Sequence, residues 1–115
     1  HASAAGKAIL AGLPDERVDE IELTEYTEAT ITDRKELREE IAEIRDRGVA
    51  FNDNDNLMGL RAVACPIHVD GRVIGAIAVG GPAERIRGEF FHEKLPNSLR
   101  GVANEVELNL TEPNF

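Results

Sequence analysis

Apolar residues recur along this chain with two periods, and each change of period marks a structural element. Between Asp33 and Arg47, Leu37, Ile41 and Ile44 fall at helical spacing. Asp33 with Glu36 forms a capping-box signature, Arg45 and Arg47 occupy the last turn, and Gly48 supplies a left-handed stop. Phe91, Leu95, Leu99, Val102, Val106 and Leu110 repeat at intervals of three and four, predicting a helix over about Phe91 to Leu110. Pro96 either marks the true start of that helix or bends its first turn. A first helix is predicted over about Ala2 to Gly12, and a short second one begins at Pro14-Asp-Glu-Arg17. Thr24 to Ile31 reads as extended or looped.

Elsewhere the period is two. Val49-Ala-Phe51 reads as a strand leaving the central helix. Leu60 to Val69 and Arg72 to Gly80 flank Asp70-Gly71, a strong hairpin signal. A two-residue loop would place Val63 opposite Ala78 and mix large with small side chains on both faces. A three-residue loop, Val69-Asp70-Gly71, pairs Ala62 with Ala78 and Ala64 with Ala76, and sorts the residues. One face then carries Val63, Cys65, Ile67, Val73, Ile77 and Val79, a core surface. The other carries Leu60, Ala62, Ala64, Pro66, Ile74, Ala76, Ala78 and Gly80. A sheet face so short of bulk admits either a closely packed helix or a ligand.

The length of 115 residues fits one domain, and 42% hydrophobic residues allow a modest core. No apolar run is long enough to span a membrane. The lone Cys65 excludes an internal disulfide and is compatible with a reducing cytoplasm. A net charge of −9 argues against a direct grip on a phosphate backbone. Lysine is confined to Lys7, Lys35 and Lys94, and this acid-rich, lysine-poor composition suggests a halophilic, salt-rich cytoplasm.

Candidate chemistry is sparse. In His1-Ala-Ser-Ala-Ala-Gly-Lys-Ala8, Ser3 can cap a helix whose first turn (Ala4, Ala5, Gly6) leaves its backbone N–H groups approachable by an anion. The loop Asn52-Asp-Asn-Asp-Asn56 looks calcium-like, yet Leu57 and Val63 stand where an EF-hand needs glycine and glutamate. Cys65 and His68 are three apart in a strand, so they point to opposite faces and make no nucleophile–base pair. His1 and His92 are too scattered for a zinc site. There is no phosphate loop, paired-carboxylate signature or nucleophile elbow. The reading is therefore no enzyme, no cofactor and no metal.

Taken together, His1-Ala-Ser-Ala-Ala-Gly-Lys-Ala8, Leu37…Ile44-Arg45-x-x-Gly48-Val49-Ala-Phe51, Gly59-Leu60-x-Ala62-x-Ala64-x-Pro66-Ile67 and Ala76-Ile77-Ala78-Val79-Gly80-Gly81-Pro82 resemble the effector-binding domain of IclR-type transcriptional regulators along nearly the whole chain. The resemblance implies an α/β (α+β), GAF-like fold: an antiparallel sheet with helices packed on it, here the later part of the domain and incomplete at its N-terminus. It implies a small-molecule effector of organic-acid type, DNA contacted only through a separate winged helix-turn-helix domain, no membrane, and a cytoplasmic homodimer or homotetramer. Carried over by position, the pocket wall would comprise Ala4 and Ala5 at the helix start, Asn52 and Met58 from the loop, and Leu60, Ala62, Ala78 and Gly80 from the small face. Ser3 and the helix N–H groups, Gly6 among them, would be its polar anchors. Relatives often carry polar or thiol groups where this chain has Ala62, Ala78 and Gly80, which implies a larger, partly apolar or aromatic acid. The competing reading is an oligomerisation domain without a metabolite.

Overall fold

The protein is described by a computed structural model covering residues 2–24, 27, 30–53 and 58–111. Among these residues four α-helices flank a three-stranded antiparallel sheet: α1 (Ala4–Leu10), α2 (Asp15–Asp19), α3 (Arg34–Arg47), β1 (Ala50–Asp53), β2 (Leu60–Val69), β3 (Arg72–Pro82) and α4 (Leu95–Thr111). The strands lie in the order β1-β2-β3.

Local chemistry accounts for the helix ends. Ser3 caps α1, its hydroxyl accepting from Gly6 N–H at 2.9 Å, so α1 is two residues shorter at each end than the sequence suggested. Pro14 occupies the cap position of α2 rather than its first turn. Asp33 caps α3 by accepting from Lys35 N–H at 3.0 Å, and Gly48 closes it at φ 72°. The C-terminal segment enters through one π-helical turn, Phe90–Lys94, closed by Leu95 N–H donating to Phe90 O. Pro96 follows directly; lacking an N–H, it cannot supply a regular bond to that turn, and the wider turn accommodates it.

The sheet has helices on both faces. On one side α1 crosses all three strands and α3 packs behind it, enclosing Ala4, Ala8, Leu37, Ile41, Ala50 and Ala64. On the other, α4 lies over β2 and encloses Val63, Cys65, Phe91, Leu95 and Leu99. Arginines of α3 tie the layers together instead of merely facing solvent. Arg45 donates to the carbonyls of Ala11 (2.9 Å) and Leu13 (2.8 Å) and to Asp15 (2.8 Å). Arg34 reaches the Ile21 carbonyl at 2.7 Å, and Arg38 grips Asp19 with two guanidinium nitrogens.

The hairpin register differs from the three-residue loop. Val69 pairs with Arg72 around Asp70 (φ 52°) and Gly71 (φ 76°), a two-residue turn with both central residues left-handed. The pairing then shifts between Ile67 and His68, and from there Ala62 faces Gly80, Ala64 faces Ala78 and Cys65 faces Ile77. Ile74 is the extra residue of a β-bulge. The bulge restores the parity that keeps Val63 and Cys65 with Val79 and Ile77, so most of the face sorting holds. Near the turn it is reversed: Val73, expected on the bulky face, packs beneath Gly12 on the α1 side, and Ile74 is exposed.

Candidate ligand-binding site

The register brings part of the candidate wall together. Asn52 pairs with Ala62 and Ala62 with Gly80, so these three stand in one row across the sheet. The next row is Ala50, Ala64 and Ala78. Side chains two apart on a strand share a face, so both rows look toward α1. The buried Asn52 side chain donates its amide to the Ala2 carbonyl at 3.0 Å, which anchors the entry to α1 beside the first row.

Burial divides the surface. Ala50 and Ala64 are sealed, and Ala4 is sealed above them. Ala5, Gly6, Leu60 and Ala62 are half-buried; Ser3, Met58, Ala78 and Gly80 are exposed. The small-residue face thus has two uses. Its inner part receives α1, and its outer part at Ala78 and Gly80 is a shelf open to solvent. Gly80 contributes close approach, since a Cβ there would lie 3.3 Å from the Ala62 Cβ and 3.4 Å from the Arg61 carbonyl. All ten candidate residues are electrically neutral. The Ser3 hydroxyl is already engaged as a helix cap and the Asn52 amide as a tether.

Clefts also lie elsewhere. One of about 300 Å³ runs along α3 and β1 between Glu36, Glu39, Glu40, Glu43 and Arg47, an acidic surface that disfavours anions. Another of about 270 Å³ separates β2 from α4 at Cys65, His68, Arg100, Asn104 and Glu107. Within it His68 engages α4: its backbone N–H donates to Glu107 at 3.2 Å, and its Nδ1 lies 3.6 Å from the same oxygen. Burial pushes the Cys65 thiol above its ordinary range, only partly offset by Arg100, which is the wrong direction for a nucleophile.

Among the described residues there is no cluster of three or more potential metal ligands, and no helix is long and apolar enough to cross a membrane. The polar loop after Asn52 lies outside the described residues from Asn54 to Leu57, as does His1, and so do Glu25, Tyr26, Glu28 and Ala29 of the threonine-rich segment.

Two features of the α1 region escaped the sequence reading. Lys7 is 1% exposed and meets Glu40 of α3 at 2.6 Å; its place between the buried Ala4 and Ala8 was the available signal. The Asn52–Ala2 tether spans 50 residues and left no local signal.

Comparison with known proteins supplies the family. The family described as bacterial transcriptional regulator IclR C-terminal matches residues 1–108. A probable HTH-type transcriptional regulator, ArcR, from Halobacterium salinarum is 38% identical over 96% of this chain and 44% of its own length. The transcriptional repressor IclR of Escherichia coli is 41% identical over 81% of the chain and 36% of its own length. The chain thus spans less than half of the curated relatives it matches, and these relatives are regulators, not enzymes. Among solved structures, the IclR protein of Thermotoga maritima superposes with a TM-score of 0.87 at 31% identity, covering 96% of this chain and 47% of that one. The inducer-binding domain of a double mutant of the Acinetobacter transcription factor PobR, solved with 3-hydroxybenzoic acid, gives 0.86 at 25% identity, covering 93% of this chain and 64% of that one. With residues 1–108 of the chain matched to the family and the GAF-like α/β arrangement in place, the chain belongs to the IclR family of transcriptional regulators, in the part that forms their C-terminal effector-binding domain.

Proposed function

We propose that residues 1–115 form the later part of a cytoplasmic effector-sensing domain that binds an organic acid on the shelf between the start of α1 and the outer end of the β2–β3 hairpin. The observation that carries the reading is the exposure of Ala78 and Gly80, continuous with a row whose Asn52 is buried and bound to the α1 entry. A ligand seated there touches α1 and the sheet at once, so it favours one arrangement of the two. That preference passes to a separate DNA-binding domain as a population shift within a homodimer or homotetramer. The neutral lining favours a larger, partly aromatic acid, in keeping with the 3-hydroxybenzoic acid held by the PobR domain.

A thermal-shift screen of organic and aromatic acids in concentrated KCl tests this. A ligand that binds only the native state at about 100 times its Kd stabilises by roughly 2.7 kcal/mol. The shift should vanish in Ala78→Phe and Gly80→Leu. Absence of any stabilising acid, or a shift that Ala78→Phe leaves intact, overturns the assignment.

The second reading, an oligomerisation domain without a metabolite, draws on the sealed alanines: Ala50 and Ala64 already serve α1 packing. It predicts that Ala78→Phe disturbs assembly alone. The acid-rich composition and the Halobacterium relative further support a salt-rich cytoplasm. Stability that rises with KCl supports that habitat, and full stability in dilute buffer overturns it.

A further inference from the structure

Arg100 on α4 departs from the arginines that brace this fold. In Arg38, Arg45 and Arg61 the Nε–H donates to Asp19, to the Ala11 carbonyl and to Asp53 respectively. In Arg100, Nη1 donates to Asn97 of the same helix at 2.7 Å, while the buried Nε has no acceptor among the described residues. Folded proteins leave few buried N–H groups unpaired, because each one loses its water without gaining a replacement. The same side chain lines the cleft of about 270 Å³ between β2 and α4.

The cleft lies where β2 runs on past its pairing with β1, on the side of β2 opposite to β3. Three side chains able to donate, Arg100, Asn104 and His68, line it from two elements, and Cys65 and Ala103 add apolar contact. The carboxylate in its lining, Glu107, engages the strand: it accepts the His68 backbone N–H at 3.2 Å and lies 3.6 Å from the His68 ring. Cys65 belongs to the core on the α4 face, whereas Ala62 packs with the core on the α1 face. The cleft and the effector shelf therefore lie on opposite faces of the sheet.

We propose that this cleft is a second site, binding a small carboxylate on the Arg100 guanidinium. With Nη1 committed to Asn97, the edge left for a ligand is the one formed by Nε and Nη2. A small outward turn of the guanidinium, pivoting on the Nη1–Asn97 bond, brings that edge into the cleft. Its two parallel N–H groups match the two oxygens of a carboxylate, and the Asn104 amide can donate to the same group. The free protein carries the unpaired Nε–H and the complex does not, so that difference favours binding. A halide supplies charge without the second oxygen, and the cleft accordingly prefers a carboxylate to chloride.

The test replaces potassium chloride by potassium acetate at constant total salt, which keeps screening fixed, while the arginine Nε–H resonances are followed by NMR. The Arg100 signal should move along a saturating curve, and those of Arg45 and Arg61, already paired, should stay in place. Asn104→Ala should raise the acetate midpoint about 5-fold, the loss of one hydrogen bond. As an independent measurement, acetate in place of chloride should raise the Tm of the native protein and not that of Arg100→Lys, which keeps the charge without the fork. An Arg100 signal that does not respond, one that moves only in step with Arg45 and Arg61, or an acetate effect on Tm that a folded Arg100→Lys retains overturns the site. Should Arg100→Lys fail to fold, the NMR series on the native protein decides. Ala78→Phe, on the shelf, should leave the acetate response of Arg100 intact; a response lost in that variant belongs to the shelf and equally overturns the second site. Failure here is thus separable from failure of the effector assignment.

Discussion

Asn52 and Ala2 are 50 residues apart, and the buried side-chain amide of the first donates to the backbone carbonyl of the second at 3.0 Å. This bond sets where the chain enters α1, beside the row Asn52–Ala62–Gly80. Asn52→Ala leaves the Ala2 carbonyl without this donor, a loss of about 1–3 kcal/mol for a buried group. Urea denaturation should show that drop with an unchanged m-value. A Tm equal to that of the native protein would separate the tether from stability.

Gly12 lies close against Val73 where the α1 end meets the hairpin. A Cβ at Gly12 would lie 2.4 Å from Val73 Cγ2 and 2.5 Å from its Cβ. Gly12→Ala should therefore cost about 1–3 kcal/mol through overpacking. Val73→Gly removes both the Cγ2 and the Cβ that stand in the way, and the double variant should recover part of the loss. A double-mutant cycle on urea midpoints measures the coupling; strict additivity would show that the two do not touch.

Lys7 is 1% exposed and meets Glu40, itself 26% exposed, at 2.6 Å. Glu40→Ala leaves the buried ammonium without this carboxylate and should destabilise by about 3 kcal/mol or more. Lys7→Met keeps the volume, removes the buried charge and should cost clearly less. Equal losses in chemical denaturation for the two variants would contradict an ammonium held by this pair.

Asp19 and Arg38 set one acid limit. The double hydrogen bond from Arg38 holds the Asp19 carboxyl below the ordinary 3.8; desolvation, the next largest effect, opposes it, and the charges of Arg38 and Arg34 add to the lowering. A carboxyl depressed in the folded state contributes stability above its unfolded value, and that contribution fades as pH falls through the folded value. Arg38→Ala should move Asp19 back up in an NMR titration. The stability difference between native protein and variant should be flat near neutrality and shrink below pH 3.8.

Much of this domain was legible locally. The ends of α3 follow from Asp33 and Gly48, because a cap needs a side-chain acceptor and a left-handed stop favours glycine. The bounds of β2 follow from alternation ending at Asp70-Gly71, and the ordered motifs from the His1 run to Gly80-Gly81-Pro82 already pointed to the IclR effector domain. These are properties of neighbouring residues. The hairpin register was not: the Asp-Gly turn demands a two-residue loop, while packing on α4 demands that Cys65 face Ile77. The conflict is resolved by extruding Ile74 as a bulge, and only the helices on the two faces decide that. The same holds for the site. Sequence set out the small residues, but whether they seal or open depends on where α1 lies. Packed over Ala50 and Ala64 and tied down by Asn52, it leaves Ala78 and Gly80 bare, because long-range contacts and not local propensity place a seven-residue helix.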